Sequence, residues 1–223
     1  MSAAAPRPLE GVFGGTFDPV HYGHLRSALE LVERLQLEHL RLMPSARPPH
    51  RAAPGCSAEH RAAMVELAVA GEPLLACDTR ELARQGESYT IDSPMELRDE
   101  LGAEPGLCMV MGCDAVLGIT GWHRWRELLD WAHIVVIARP GWDLPGDGAV
   151  AEWLQGSRLD DHGALRQRPA GSIVIEELRP LDISSTEIRE MLGAGRSARY
   201  LMPASVLDYI QAHALYRRTG TRV

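Results

Sequence analysis

Gly14-Gly15-Thr16-Phe17-Asp18-Pro19-Val20-His21-Tyr22-Gly23-His24 is the stretch on which the reading of this chain turns. It leaves a short apolar run near Gly11–Gly14 and enters an amphipathic segment, about Gly23 to Leu35, with Leu25, Leu29 and Val32 on one face. Strand, glycine turn and helix make a phosphate-binding layout. Glycines let the backbone approach an anion, and the helix start offers unpaired N–H groups with partial positive charge. His21 and His24 stand three apart, so both rings can face one side of the helix entrance and donate to phosphate oxygens. Taken alone, the glycine pair also reads as a tight turn, and the histidines as a capping pair or as metal ligands.

Outward from this stretch, short apolar runs alternate with helical periodicity, the pattern of βαβ units around a parallel sheet. Strands are expected near His39–Met43, Leu74–Cys77, Leu107–Met111, His133–Ala138 and Ser172–Leu178. Helices are expected over Glu59–Ala70, Pro94–Leu101, Arg124–Trp131, Ala151–Leu154, Thr186–Leu192 and Pro203–His213, with Ser93–Pro94 as a cap and a first-turn proline. Pro44–Gly55 and Arg139–Gly148 read as loops long enough to cover a site. The fold class is therefore α/β, a Rossmann-like doubly wound parallel sheet in a single domain over residues 9–216, completed by C-terminal helices. Residues 1–8 and 217–223 are expected to be flexible ends.

Composition narrows the chemistry. The chain has 223 residues and a net charge of −7, which argues against a broad nucleic-acid surface, and no apolar run approaches a membrane span. Any anionic ligand must therefore meet locally placed positive charge. All 23 basic residues are arginine. Without lysine there is no P-loop lysine, no Schiff base and no lysyl-AMP intermediate. Four cysteines lack CxxC spacing, and the Met1–Pro8 start is neither a secretory signal nor a transit peptide, so a reducing cytoplasm is expected.

The complete run from Gly15 to His24 resembles the nucleotidylyltransferases that carry a Gly-x-Phe-Asp-Pro-x-His-x-Gly-His signature. That resemblance implies that His21 and His24 bind ATP phosphates and stabilise the transition state, with Gly14, Gly15, Thr16 and Phe17 also on ATP and Asp18 as a turn residue. Near the other end, Ile183-Ser184-Ser185-Thr186-Glu187-Ile188-Arg189 is similar to the family's second signature. Ser184 with Glu187 would serve as a plain capping box. The resemblance adds that Ser184, Ser185 and the catalytic candidate Arg189 grip the triphosphate opposite the histidines.

Three middle segments resemble the nicotinate-nucleotide adenylyltransferase family. Pro44-Ser45-Ala46-Arg47-Pro48-Pro49-His50-Arg51 resembles its Pro-Pro-His-Lys loop, with Arg51 as an ATP ligand in place of lysine. Ser88-Tyr89-Thr90-Ile91-Asp92 is similar to its Ser-Tyr-Thr-x-Asp segment, which implies that Thr90 helps bind the nicotinate carboxylate. Gly112-Cys113-Asp114 followed by Trp122-His123 is similar to its Gly-x-Asp and tryptophan positions. By this resemblance Gly112 and Asp114 serve ATP, while Trp122 and His123 hold nicotinate mononucleotide. Trp122 can stack on a pyridine ring, and equally can be core. Arg139-Pro140 matches the family's arginine–proline pair, with Arg139 either on ATP or simply on the surface.

The reaction implied is attack by the 5′-phosphate of nicotinate mononucleotide on the α-phosphorus of ATP, with Mg2+ accompanying ATP, to give nicotinate adenine dinucleotide and pyrophosphate. The partners expected are these small molecules, with no resident metal, no nucleic acid and no membrane; oligomeric state, a homo-oligomer included, stays open. A phosphopantetheine adenylyltransferase, a non-catalytic nucleotide-binding regulator and a hydrolytic metal site at the two histidines are the alternatives.

Overall fold

The structure, a computed structural model, describes residues 6–46, 55–86, 88–139, 141–143 and 145–217. Six parallel strands form one sheet: β1 (Leu9–Gly15), β2 (His39–Pro44), β3 (Leu75–Cys77), β4 (Gly106–Gly112), β5 (His133–Ala138) and β6 (Ile173–Glu177). Their order is β3-β2-β1-β4-β5-β6. The chain winds outward from β1 through β2 to β3, then crosses back and winds the other way from β4. This leaves a crevice beyond the carboxyl ends of β1 and β4, where open α/β sheets bind ligands.

The strand sequences explain why both faces are covered. β4 is buried from Gly106 through Met111, the continuous apolar run of a central parallel strand. Its side chains alternate between two cores: Cys108 and Val110 join Leu31, Met64 and Ile210, while Leu107, Met109 and Met111 join Leu97, Val116 and Leu128. Helices α1 (Tyr22–Leu35), α2 (Ala58–Val69), α8 (Ser185–Gly193) and α9 (Ala204–Ala212) supply the first core. Helices α4 (Asp92–Leu101), α5 (Cys113–Leu117), α6 (Leu128–Trp131) and α7 (Gly148–Ser157) supply the second. A single turn, α3 (Arg80–Ala83), stands between β3 and α4.

All six expected strands form, with ends shifted by a residue or two. Three local expectations change. Helix α4 starts at Asp92 with Ile91 at its cap position, because the Ser93 hydroxyl is turned to Glu81 and Arg84 instead of the helix start. Arg124–Trp131 is a 3₁₀ turn, Trp125–Glu127, running into α6, and α7 is longer than Ala151–Leu154. Arg7 and Pro8 are tied down: Arg7 donates to the carbonyls of Ala103 and Glu104, and the Pro8 carbonyl accepts from Gly106. Residues 47–54 of the expected Pro44–Gly55 loop, residues 140 and 144 of the expected Arg139–Gly148 loop, and most of the expected flexible ends lie outside the described residues; the rest of the second loop leads into α7 at Gly148.

Arginine forks do much of the loop fastening. Arg98 donates to the carbonyls of Gly102, Pro105, Trp131 and Pro169, and Arg166 to those of Arg7, Leu35 and Gln36. Five N–H donors in a planar fork suit this work better than the point charge of lysine.

Candidate active site

Two depressions open at the switch point. The larger, about 1020 Å³, lies between the β1–α1 loop, the ends of β4 and β5, and the β6–α8 connection. The smaller, about 180 Å³, lies between β1, the exit of β2, Ser88–Thr90 and Trp122–His123. They share Gly14, Gly15, Thr16 and Ala115. At Gly14 and at Gly112 an added Cβ would meet nothing within 4 Å, so the two strand ends that flank the crevice face open space.

His21 and His24 form one wall of the large cleft, their ring centroids 3.8 Å apart and their planes 30° from parallel. Sequence spacing alone allowed this; tertiary packing enforces it. The Phe17 ring is buried and packs T-shaped on His24, ring centroids 5.0 Å apart, so it braces the histidine from behind. A Cβ on Gly23 would lie 2.9 Å from His21 Nδ1, so glycine is what lets that ring sit against the helix. The Nδ1 atoms of both rings are buried without a hydrogen-bond partner.

Burial pushes the His21 pKa down to about 4, and burial together with its neighbour His21 holds His24 well below the ordinary histidine value. Both rings are therefore neutral at pH 7. A neutral imidazole still offers one N–H to a phosphate oxygen, without the repulsion that two adjacent cations would suffer. Among the described residues no group of three or more His, Cys, Asp or Glu side chains is placed to hold a metal.

The opposite wall is the start of α8. Ser184 caps it, its hydroxyl oxygen accepting from the Glu187 amide at 3.1 Å. Ser185 donates to the Pro19 carbonyl at 3.0 Å, and so ties the second signature to the first. Arg189 donates to the Asp18 carbonyl at 2.7 Å and stands 3.7 Å from its carboxylate. Asp18 is more than a turn residue. Its buried carboxylate accepts from the Gly55 amide at 2.6 Å, the Tyr216 hydroxyl at 2.7 Å and the Cys56 thiol at 3.4 Å. At the far rim Arg139 pairs with Asp114 at 3.0 Å, both largely exposed. Beneath Thr16, the wholly buried Arg61 bonds the carbonyls of Thr16 and Ala46, locking the β1 and β2 exits together.

The small pocket has an apolar floor of Val12, Met43, Met109 and Met111, with Thr90, Trp122 and His123 in its walls. The Trp122 indole also packs against the second core, so its two readings are compatible. His123 lies against the Tyr89 ring, centroids 4.4 Å apart. Ser45, also in the wall, has a buried hydroxyl with no partner. Glu81 completes the lining, accepting from Ser93 Oγ at 3.0 Å and from the Ala46 amide at 3.3 Å; desolvation pushes its carboxyl pKa up against those bonds. Behind it Arg84 grips Glu96, Ser88 Oγ and Ser93 Oγ.

Every expected ATP residue except Arg51 lines the large cleft, and all three expected acceptor residues line the small pocket; Arg51 lies outside the described residues. Sequence reasoning missed Ser45, Arg61, Glu81, Arg84 and Tyr216. Ser45 stands within the Pro44–Arg51 segment but carries no fixed position of it; the others lie outside the signature segments, where packing between elements gives them a task.

Residues 12–191 match the cytidylyltransferase-like family. A Cellvibrio japonicus protein named "Probable nicotinate-nucleotide adenylyltransferase" is 52% identical, over 95% of this chain and 100% of its own length. A Pseudomonas aeruginosa protein of the same name is 51% identical, over 93% of this chain and 96% of its own. In three dimensions the fold is similar to Plasmodium falciparum nicotinic acid mononucleotide adenylyltransferase complexed with NaAD, with a TM-score of 0.69 at 17% identity, covering 94% of this chain and 97% of that one.

Proposed function

The chain belongs to the cytidylyltransferase-like family, among its nicotinate-nucleotide adenylyltransferases, and from that premise we propose how its two cavities divide the reaction. The enzyme converts nicotinate mononucleotide and ATP to nicotinate adenine dinucleotide and pyrophosphate, a step of NAD biosynthesis. ATP takes the large cleft, and the pyridine end of the acceptor takes the small pocket. One observation carries this division: the cavities meet over the backbone of Gly14–Thr16, so ligands filling both bring their phosphates together there.

A 5′-phosphate oxygen of the acceptor attacks the α-phosphorus; a new P–O–P linkage forms, the bond to the β-phosphate breaks, and pyrophosphate leaves. No protein nucleophile is required. Catalysis rests on alignment and on donors aimed at the developing charge. His21 and His24 donate from neutral rings to the α-phosphate, helped by the amides of Gly14, Gly15 and Thr16. The α8 start, through Ser184 and Ser185, and Arg189 hold the departing phosphates. Gly112, Asp114 and Arg139 flank the nucleoside. Magnesium enters on the ATP phosphates as part of that substrate and offsets their charge.

Trp122 and His123 enclose the pyridine ring, and Thr90 supports the carboxylate, favouring the acid over the amide. The four cysteines are unpaired, which suits a reducing compartment, and no described helix is long and apolar enough to cross a membrane. Purified protein given Mg-ATP with either nicotinate or nicotinamide mononucleotide should form dinucleotide rapidly from the acid alone. Equal turnover of both would discard the carboxylate assignment and keep the chemistry; no dinucleotide from either would sink the reading.

A further inference from the structure

We infer that Tyr216, at the end of the described chain, is a positioning residue for the ATP phosphate site, acting through Asp18 on Arg189. The inference rests on the reading of the large cleft as the ATP site. Tyr216 and Asp18 are 198 residues apart, yet the phenol donates to Asp18 Oδ1 at 2.7 Å. Three other groups converge on the same residue: the Gly55 amide on Oδ2, the Cys56 thiol on Oδ1, and Arg189 on the main-chain carbonyl. Asp18 is 4% exposed, so its carboxylate cannot exchange these donors for water.

The packing is as tight as the bonding. A Cβ on Gly55 would meet Arg189 Cδ and Tyr216 Cε1, each at 3.0 Å, so glycine alone allows the guanidinium stem and the phenol ring to close on this point. The turn after α9 delivers the ring: Leu215 bonds back to Ile210, and Tyr216 follows with φ 62°, in the left-handed region. Burial, with Cys56 and then the Asp18 carboxylate beside it, holds the phenol far above its ordinary pKa, so it remains a donor across the working pH range. Arg189 thus has its reach into the cleft fixed by a residue that touches no substrate. Removing the Tyr216 hydroxyl takes the shorter of the two donors from Asp18 Oδ1 and leaves only the Cys56 thiol at 3.4 Å there, and Asp18 carries the carbonyl that holds the guanidinium.

Tyr216→Phe keeps the ring and deletes only the hydroxyl. With the full chain, Mg-ATP and nicotinate mononucleotide, kcat and both KM values are measured per folded molecule, the folded fraction being taken from a melting curve. The expected result is a roughly tenfold loss in kcat/KM for ATP, with KM for nicotinate mononucleotide unchanged, the scale of one hydrogen bond to a charged group. Wild-type kinetics in the variant would overturn the inference. So would a lower melting temperature with unchanged constants per folded molecule, which is the signature of a purely structural tyrosine. Absence of product from the wild-type chain would instead overturn the adenylyl-transfer reading, and this inference with it.

Discussion

The two cavities at the switch point are built in opposite ways. The large cleft is walled by two helix starts and their polar side chains, the paired histidines on one side and Ser184, Ser185 and Arg189 on the other. The small pocket has a methionine and valine floor, with polar groups only in its walls. A cleft for phosphates has to present many donors to a charge that is displaced during reaction, whereas a pocket for a flat ring needs shape and a few fixed polar contacts. Damage to the first should therefore appear in kcat, and damage to the second in the acceptor's KM.

The largest effect expected is on acid stability, and it belongs to the histidines of the large cleft together with His133 in β5. His21 and His133 have folded pKa values lowered to about 4, below the ordinary 6.5. As pH falls through 6.5 the unfolded chain takes up protons first. Stability therefore declines from there to about pH 4, by on the order of 3 kcal/mol for each group, and levels off below. Histidine ring NMR provides the check, and a His21 signal titrating near 6.5 would contradict the burial argument.

Next comes His24→Ala, expected to cost about 3 kcal/mol of transition-state stabilisation, or a hundredfold or more in kcat. Near-normal turnover would remove His24 from the catalytic role. Gly23→Ala tests positioning without touching chemistry: its Cβ would crowd His21 Nδ1 at 2.9 Å, and kcat should drop roughly tenfold or more while the chain still folds. An unchanged rate would show that His21 tolerates displacement.

The small pocket should answer differently. Arg84→Ala removes the bonds to Ser88, Ser93 and Glu96 that brace its wall, and KM for nicotinate mononucleotide should rise about tenfold with KM for ATP unchanged. Glu81→Gln retains an acceptor and should raise the same KM only about threefold. If either variant lowered kcat alone, the division between the cavities would be broken.

The unequal legibility of the two sites has the same origin. In the large cleft, the glycine turn and the histidine pair are neighbours in sequence, as are the serines and arginine of α8, because a helix start is a local structure and its donors come with it. In the small pocket Thr90, Trp122 and His123 were reachable through resemblance. Glu81 and Arg84 were not, since α3 is one turn long and carries no periodic signal. Ser93 shows the cost of local reasoning: read as a helix cap, it is drawn instead to Glu81 and Arg84.

Sequence by itself determined the alternating strands and helices, the glycine turn before α1 and the serine cap of α8, because each follows from periodicity or from hydrogen bonding within a few residues. Tertiary structure alone decided that the two signatures face each other across one cleft. It also decided that Arg61 ties the exits of β1 and β2, and that Tyr216 closes on Asp18. Those contacts join elements far apart in the chain. They arise when the sheet reverses its winding between β1 and β4 and buries polar groups that must then find partners.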